Sequence, residues 1–253
     1  MIRNSYLFAL VILVICPTFS SAGIITFSDD TFNGSDWGLT LIQFGPGGSA
    51  TATQMFSGGN PGAYRQVGMT VNATIPAGAP DPNRAHVHAF HERLGATYNP
   101  STQGAVDTID LSIDHNFLFG NAGAGGQGIV AALVQNSKIY ATAFPLQIQA
   151  SATTWTSSNL VGLTASDFEE YRLGGITPFT DPLSHPDLSA SGPAFTVGFV
   201  TQISTAGAPS QLTNTVGYDN WQVQITPVPE PSSFALWAVA ATLLGVYGTR
   251  RIR

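Results

Sequence analysis

The stretch AVDTIDLSID, residues 105–114, decides the fold class that this sequence predicts. Three apolar residues in it, Ile109, Leu111 and Ile113, alternate with Thr, Asp and Ser. Successive side chains of a β-strand point to opposite faces, so apolar residues at every second position share one face. The stretch therefore predicts a strand with one face on a core and the other face in water.

Strand signals of the same kind occur along the whole middle of the chain. Residues 128–144, GIVAALVQNSKIYATAF, predict two strands joined by a hairpin turn at 135–137. The pattern from Ser166 to Glu169 fits a capping box and predicts one helical turn that runs on to a glycine stop. Many strands and the absence of strand–helix alternation predict an all-β fold, an antiparallel β-sandwich. Further strands are expected at 23–29, 39–44, 50–56, 64–73, 85–92, 195–205 and 218–226.

Charged residues are scarce, and most of those present are acidic. Only 9% of the residues are Asp, Glu, Lys or Arg, against about 25% in an average soluble domain. Residues 23–227 contain five basic and fourteen acidic residues, a net charge of −9. Because a phosphate backbone requires a basic patch on its partner, nucleic acid and anionic lipid are not expected partners. The acidic charge leaves cations and neutral polymers as the partner classes that stay open.

The first 22 residues have the composition of a secretory signal peptide. Arg3 precedes an apolar run over residues 6–15, and small residues follow up to Ala22. We therefore expect export and cleavage after Ala22. The only cysteine, Cys16, lies in this segment. The mature chain is thus expected to have no thiol, and its stability cannot depend on disulfides.

The segment 227–253 combines a Pro-Glu-Pro motif, an apolar run and terminal arginines. The apolar run over 234–248 is shorter than the about 20 residues of a typical spanning helix. The arginines are expected to stay on the cytoplasmic side. We therefore expect the body, residues 23–226, to be held transiently at the inner membrane by a transmembrane sorting helix. The motif comprises Val228, Pro229, Glu230 and Pro231, and the arginines are Arg250, Arg251 and Arg253.

These three parts, in this order, resemble the PEP-CTERM sorting signal of Gram-negative bacteria. The resemblance implies that an exosortase-type enzyme processes the tail near the Pro-Glu-Pro motif. It also implies a host that makes exopolysaccharide and biofilm, and a final location in the cell envelope or the extracellular matrix. The alternative is an ordinary membrane anchor in which the Pro-Glu-Pro sequence occurs by chance.

The body resembles the concanavalin A-like, laminin G-type jelly-roll domains of secreted bacterial proteins. The resemblance implies two antiparallel sheets in which the first and last strands lie side by side. Such domains serve many functions, so a fold of this kind does not define an activity. The segments that carry it are DDTFNGSDW (29–37), GGNPGAYR (58–65), YNPSTQGAVDTIDLSID (98–114), HPDLSASGPAFTVGF (185–199) and YDNWQVQI (218–225).

Two groups of residues are candidate metal ligands. Asp29, Asp30 and Asp219 lie at the expected first and last strands, where the jelly-roll resemblance permits a structural Ca²⁺ in a cage of oxygen atoms. The alternative is that these residues cap turns and strand ends. His86, His88 and Glu92 have the same strand parity and could bind Zn or Cu. His91 would fall on the opposite face, and the alternative for the whole set is the polar face of an edge strand.

The strand at 105–114 carries three candidate carboxylates for glycoside hydrolysis, Asp107, Asp110 and Asp114. Glycosidases of the concanavalin-like fold carry paired carboxylates that face a groove, about 5 Å apart in retaining enzymes. Asp110 and Asp114 share a face but lie about 13 Å apart along a strand, and Asp107 has the other parity. Glu169 and Glu170 are adjacent on the expected helical turn, where neighbours do not face one another. Two facing carboxyls with perturbed pKa values elsewhere would favour an enzyme.

Aromatic residues spread along the body could stack on sugar rings while amide side chains bind the hydroxyls. Most are expected in the core, and Trp155 in TTWTSSN is the one expected nearest to solvent. The sequence therefore predicts an exported, non-enzymatic surface or matrix protein that is a matrix component or binds exopolysaccharide. The alternatives are a surface glycoside hydrolase and a metal-binding surface protein.

Overall fold

The structure, a computed structural model, describes residues 23–72, 85–121, 126–143, 145–172, 180–204 and 210–229. Residues Gly23–Val228 form one compact unit. The predicted signal peptide and the tail from Glu230 onwards lie outside the described residues. Within the described ranges, no helix is long and apolar enough to cross a membrane.

The described chain forms fourteen strands in two antiparallel sheets. The six-stranded sheet has the order β10-β6-β14-β4-β3, with β1 also paired to β14. The eight-stranded sheet has the order β12-β11-β8-β7-β13-β5-β2, with β9 paired to β7. The strands are β1 (Ile25–Asp29), β2 (Trp37–Phe44), β3 (Gly48–Gly59), β4 (Gly62–Val71), β5 (His86–Tyr98), β6 (Val106–Gly120), β7 (Gly128–Gln135), β8 (Lys138–Thr142), β9 (Leu146–Gln147), β10 (Thr156–Leu163), β11 (Phe168–Tyr171), β12 (Thr180–Asp181), β13 (Phe195–Ser204) and β14 (Leu212–Pro227). The helical elements are α1 (Pro100–Gln103) and two 3-10 turns, Gly34–Asp36 and Ala165–Asp167.

The main core lies between the inner faces of the two sheets, as a β-sandwich requires. Ile109, Leu111 and Ile113 of β6 are all buried, which confirms the alternation predicted for residues 105–114. They belong to one cluster with residues of the eight-stranded sheet such as Ile129 and Phe199. The predicted antiparallel sandwich is therefore present.

The central strands of the eight-stranded sheet are buried on both of their faces. On β7, Ile129 and Ala131 belong to the main core, whereas Val130 and Ala132 belong to a second apolar cluster. Phe90 of β5 lies in that second cluster. This double burial explains why β7 is almost continuously apolar, a pattern typical of strands with no wet face.

The hairpin between β7 and β8 turns at Asn136 and Ser137, which confirms the predicted turn. Both residues have positive φ angles, 53° and 64°, as the two central residues of a type I′ turn require. Such a turn matches the right-handed twist of the flanking strands.

The prediction of a helical turn that begins at Ser166 and runs on to a glycine stop is wrong. The helical part is only the 3-10 turn Ala165–Asp167, closed by a capping box between Thr164 and Asp167. The chain then continues as β11, which pairs with β8. Phe168 and Tyr171 of β11 are buried, so tertiary burial of these aromatic side chains decides in favour of a strand.

Candidate functional site

The outward-facing surface of the six-stranded sheet carries mostly uncharged hydrogen-bonding side chains. Directly opposite residues of neighbouring strands share a face. Three rows of such partners run across the sheet, and they pass through Thr215, Gln222 and Gln224 of β14. We call this surface the outer polar face. Its members are Thr26, Ser28, Thr51, Thr53, Gln66, Gly68, Thr70, Asp110, Ser112, Asn159, Thr213, Thr215, Gly217, Gln222 and Gln224.

Part of the outer polar face is a shallow depression of about 220 Å³. The amide side chains of Gln222 and Gln224 line it and are joined by a hydrogen bond of 2.9 Å. Ser112 and Asn159 supply further polar groups from β6 and β10, and Asp110 supplies the one carboxylate among the described lining residues. Amides and hydroxyls both donate and accept hydrogen bonds, so this depression suits a ligand with many hydroxyl groups.

The aromatic rings of Trp155 and Tyr64 pack on the outer polar face. Trp155 donates a hydrogen bond of 3.1 Å from Nε1 to the carbonyl of Gly58, and it packs edge-on against Tyr64 at 5.5 Å between ring centroids. Both rings lie over Gly217, where an added Cβ would come within 3.0 Å of the Trp155 ring. Gly217 therefore lets the rings approach the sheet closely.

Trp155 is half-exposed, whereas Trp37 and Trp221, the other described tryptophans, are buried. The prediction that Trp155 lies nearest to solvent is thus confirmed among the described tryptophans. Phe119, opposite Thr215 on β6, is a further aromatic residue of this face and is 59% exposed. A single exposed phenyl ring is common on protein surfaces, so Phe119 belongs to the candidate surface by its position opposite Thr215.

A cluster of two carboxylates and two amides joins the tip of the β3–β4 hairpin to the sheet; we call it the carboxylate clamp. Asp114 accepts hydrogen bonds from Nδ2 of Asn60 at 3.0 Å and of Asn220 at 2.8 Å, and another from the Ser157 hydroxyl. Asp219 accepts hydrogen bonds from the backbone N–H groups of Asn60 and Asn220. Because Asp114 and Asp219 are direct cross-strand partners, their carboxyl groups are neighbours.

The pKa values of the two clamp carboxyls are shifted in opposite directions. Burial alone would raise the pKa of Asp114, but hydrogen bonds from Asn220, Ser157 and Asn60 lower it overall. Burial raises the pKa of Asp219, and the charges of Asp114 and Asp30 raise it further, against the two backbone hydrogen bonds. Two neighbouring carboxyls with diverging pKa values are the pattern of an acid–base pair.

The predicted calcium ligands Asp29, Asp30 and Asp219 are not assembled into one site. As the resemblance implied, β1 and β14 lie side by side. However, the carboxylate of Asp29 accepts hydrogen bonds from Thr31, Phe32 and Trp37, whereas Asp219 belongs to the carboxylate clamp. The described residues contain no group of three or more His, Cys, Asp or Glu placed to hold a metal ion.

The predicted transition-metal ligands also have separate partners. His86 and His88 share a face, with ring centroids 6.1 Å apart, but Nδ1 of His88 lies 3.2 Å from the Tyr171 hydroxyl. Glu92 accepts a hydrogen bond of 2.6 Å from Thr196.

His91 points to the other side of β5, as strand parity predicted. It stacks on Phe199 at 4.6 Å and accepts a hydrogen bond at Nδ1 from Arg65. Burial, followed by the charge of Arg65, holds the pKa of His91 well below its usual range. Its Nε2 lies 3.1 Å from the Thr201 hydroxyl, so both ring nitrogens of this neutral, buried imidazole have partners inside the core.

The other carboxylates considered for hydrolysis do not pair. Asp107 is exposed on β6, and Asp110 accepts a hydrogen bond of 2.6 Å from the backbone of Gly162. Glu170 forms an ion pair of 2.6 Å with Lys138, and Glu169 is its neighbour on a strand, where adjacent side chains point to opposite faces.

No local pattern predicts that Asp114 meets Asp219, or that either of them meets Asn60. The sequence offers Asp114 as a candidate for hydrolysis and Asp219 as a candidate calcium ligand, and it places Asn60 in the segment 58–65. The available signals were the extra residue in YDNW, which forms a bulge with Asn220 at a φ of 48°, and the amide-bearing hairpin tip. Their meeting depends on the pairing of β6 with β14.

No protein-family model matches the chain, and no curated protein sequence matches it. Among solved structures, the chain is similar to the carbohydrate-binding module TmCBM27, which recognises mannan: identity is 10%, the TM-score is 0.37, and 80% of this chain and 98% of that chain are covered. It is also similar to the winged bean acidic lectin complexed with methyl-α-D-galactose, with 10% identity, a TM-score of 0.38 and coverage of 81% and 99%.

An arabinose-bound α-L-arabinofuranosidase, MgGH51, is similar as well, with 15% identity and a TM-score of 0.40. That similarity covers 79% of this chain but only 24% of the enzyme, so the chain spans about a quarter of the enzyme's length. Similarity at this level assigns the chain to no family.

Proposed function

We propose that this protein is an exported, non-enzymatic polysaccharide-binding protein, and that it binds neutral polysaccharide along the outer polar face. The observation that carries the proposal is the combination of uncharged amide and hydroxyl side chains with the half-exposed ring of Trp155 on one sheet face. Sugar hydroxyls pair with such amides and hydroxyls. The apolar side of a sugar ring stacks on an aromatic ring.

The charge distribution supports a neutral polymer as the ligand. The described lining of the depression holds one formally charged residue, Asp110, Asp114 lies further along the same face of β6, and residues 23–227 carry a net charge of −9. A polyanion would meet repulsion on approach. A neutral chain would meet none and would also fit the open, extended shape of a sheet face.

The test is co-sedimentation of the purified protein with insoluble polysaccharides, including the host's own matrix. Replacing the stacking ring in Trp155→Ala should weaken binding about tenfold or more, the effect of losing a central aromatic contact. Phe119→Ala should weaken it less. Leu183→Ala, at a side chain that is 90% exposed on the other sheet's turn, is the matched control. Equal binding by all three variants and the wild type would refute the proposal.

The same assay tests the calcium expectation. Calcium bound only by the folded state would raise the free energy of unfolding by RT ln(1 + [Ca²⁺]/Kd), so the thermal midpoint would rise with calcium concentration. Binding and thermal midpoint are therefore measured with added calcium and with chelator. A difference in polysaccharide binding or in thermal midpoint between the two conditions supports a calcium site, and identical values in both rule that site out.

We further propose that the tail directs the protein to the cell envelope or extracellular matrix through an exosortase-type enzyme. The order of Val228-Pro-Glu-Pro, an apolar run and terminal arginines supports this sorting. Mass spectrometry of the mature protein should find a chain that starts near Gly23 and ends near the Pro-Glu-Pro motif. An intact 253-residue chain in the inner membrane would contradict it.

A glycoside hydrolase is the second candidate, because the carboxylate clamp provides two neighbouring carboxyls whose pKa values diverge. Against it, the two carboxylates already accept five hydrogen bonds from within the chain. Reducing ends are therefore assayed in the binding tubes. Release by the wild type that Asp114→Asn abolishes would replace the binding proposal with a hydrolase. Absence of release in every tube would leave the clamp as a structural joint.

A further inference from the structure

The eight-stranded sheet has a cavity of about 530 Å³ at one end of its outward face, the face turned away from the six-stranded sheet. This volume lies within the usual range of small-molecule sites, about 300–1,000 Å³. Among its polar lining residues are His86 and His88 from β5, Gln202 from β13, Gln147 from β9, and Glu169 and Tyr171 from β11.

Strand register brings the two glutamines to the same cavity. Gln147 is the partner of Gly128, and Gly128 is the partner of Gln202. A Cβ on Gly128 would lie 2.9 Å from Cγ and 3.0 Å from Nε2 of Gln202, so the Gln202 side chain occupies the space that a larger residue would take. The missing side chain at Gly128 thus leaves room for the amide side chain of Gln202.

The deepest wall is uncharged. Nδ1 of His88 lies 3.2 Å from the Tyr171 hydroxyl, and both residues are buried. Burial, followed by the neighbouring His86, lowers the pKa of His88 to about 3, and burial raises the pKa of Tyr171. Both groups are therefore neutral near pH 7, and Glu169 is the only Asp, Glu, Lys or Arg among the described lining residues.

We propose that this cavity is a second ligand site that takes one neutral or amine-bearing sugar residue, either a monosaccharide or the end of a chain. The amides of Gln147 and Gln202 can donate to and accept from ring hydroxyls. Glu169 attracts an ammonium group and repels a carboxylate, so the site selects against uronic acids. A volume of about 530 Å³ has room for one sugar residue.

Two sites on opposite sheets would let one molecule hold two saccharide chains. The outer polar face and the cavity lie on the outward faces of different sheets of one compact unit. Binding at both raises the effective affinity for a polysaccharide network. This bridging rests on the proposed function of the outer polar face, whereas ligand binding by the cavity does not.

The experiment is a calorimetric titration of the purified protein with glucose, galactose, mannose, glucosamine and glucuronate. We expect saturable binding of at least one neutral or amine sugar and none of glucuronate. Gln202→Leu keeps the side-chain size but removes the amide and should weaken that binding at least tenfold. Gln147→Leu, at an exposed position, gives the same test if Gln202→Leu fails to fold.

Two further variants separate the cavity from the outer polar face. Trp155→Ala should leave the monosaccharide affinity unchanged even if it abolishes polymer binding, so the two proposals fail independently. Glu169→Gln should reduce the preference for glucosamine over glucose at least fivefold, and Asp107→Asn, at an exposed carboxylate elsewhere, should not. The proposal is overturned if none of the neutral or amine sugars binds, or if the glutamine variants bind as the wild type does.

Discussion

At the scale of single residues, the strongest feature is how completely Asp29 is enclosed by donors. Its Oδ1 accepts hydrogen bonds from Thr31 and Phe32, and its Oδ2 accepts one from Nε1 of Trp37 at 2.9 Å. Nε of Arg93 lies 3.0 Å from the same Oδ2 as an ion pair. Burial opposes ionisation of Asp29, but the hydrogen bonds together outweigh it and lower its pKa. This carboxylate therefore ties the end of β1 to the start of β2 and to β5.

Asp29→Asn should lower the free energy of unfolding at pH 7 by about 2–3 kcal/mol, because hydrogen bonds to a buried charge are lost and the new NH₂ group faces donors. A lowered pKa stabilises the fold above the unfolded value of about 3.9 and loses that effect as pH falls through the folded value. The difference between wild type and variant should therefore shrink below about pH 4. Urea unfolding at pH 7, 5 and 3 measures it.

Asp36→Asn is the matched control for this prediction. Asp36 also faces Arg93, at 3.6 Å, but its side chain is 40% exposed. An exposed pair of this kind contributes at most about 1 kcal/mol, so the control should unfold almost as the wild type does. A deficit of Asp29→Asn that is the same at pH 3 as at pH 7 would contradict the assigned role of the Asp29 charge.

At the scale of single elements, the β7–β8 hairpin shows what sequence can predict. The residues QNS between two apolar runs predict the turn, because Asn tolerates positive φ. Ser137 is less suited to its φ of 64°, since a side chain in the left-handed region is strained. By contrast, the residues SDFEEYRL do not predict β11. Their capping pattern favours a helical turn, whereas the burial of Phe168 and Tyr171 depends on contacts with residues distant in the sequence.

Ser137→Gly should raise the free energy of unfolding by about 0.5 kcal/mol. The relief of strain, about 1–2 kcal/mol, exceeds the added entropy of glycine in the unfolded chain, about 0.4–1 kcal/mol. Thermal or urea unfolding measures the difference. Ser57→Gly is the control, because Ser57 is exposed and is not among the non-glycine residues with positive φ. Stabilisation by both changes, or by neither, would show that the turn geometry is not the cause.

At the scale of the whole molecule, the fold was predictable in class but the sites were not. The alternation around Leu111 fixes the strand and its buried face within ten residues of sequence. The carboxylate clamp instead joins Asn60, Asp114 and Asp219, which are up to 159 residues apart, and the cavity depends on the order β9-β7-β13-β5. Local patterns carry no information on which strands become neighbours, so the sites follow only from the sheet topology.

The topology also predicts where the molecule is most resistant to opening. β14 lies inside the six-stranded sheet with β6 on one side and β4 and β1 on the other, whereas β3 and β10 are edge strands. In native-state hydrogen exchange, the amides of β6 and β14 should be the most protected in that sheet and those of β10 the least. Equal protection of β10 and β14 would contradict a cooperative unit centred on β14.

The position of β14 has a consequence for the time course of synthesis. Chain growth delivers β14 last among the described strands, yet its place is in the interior of the six-stranded sheet. Until residue 227 is available, β6, β4 and β1 have no common partner, and the backbone edges that pair with β14 stay open. Partly made chains of this kind favour association with other chains. A chaperone that keeps the growing polypeptide extended is therefore expected to increase the yield of folded protein more than any factor that accelerates early collapse.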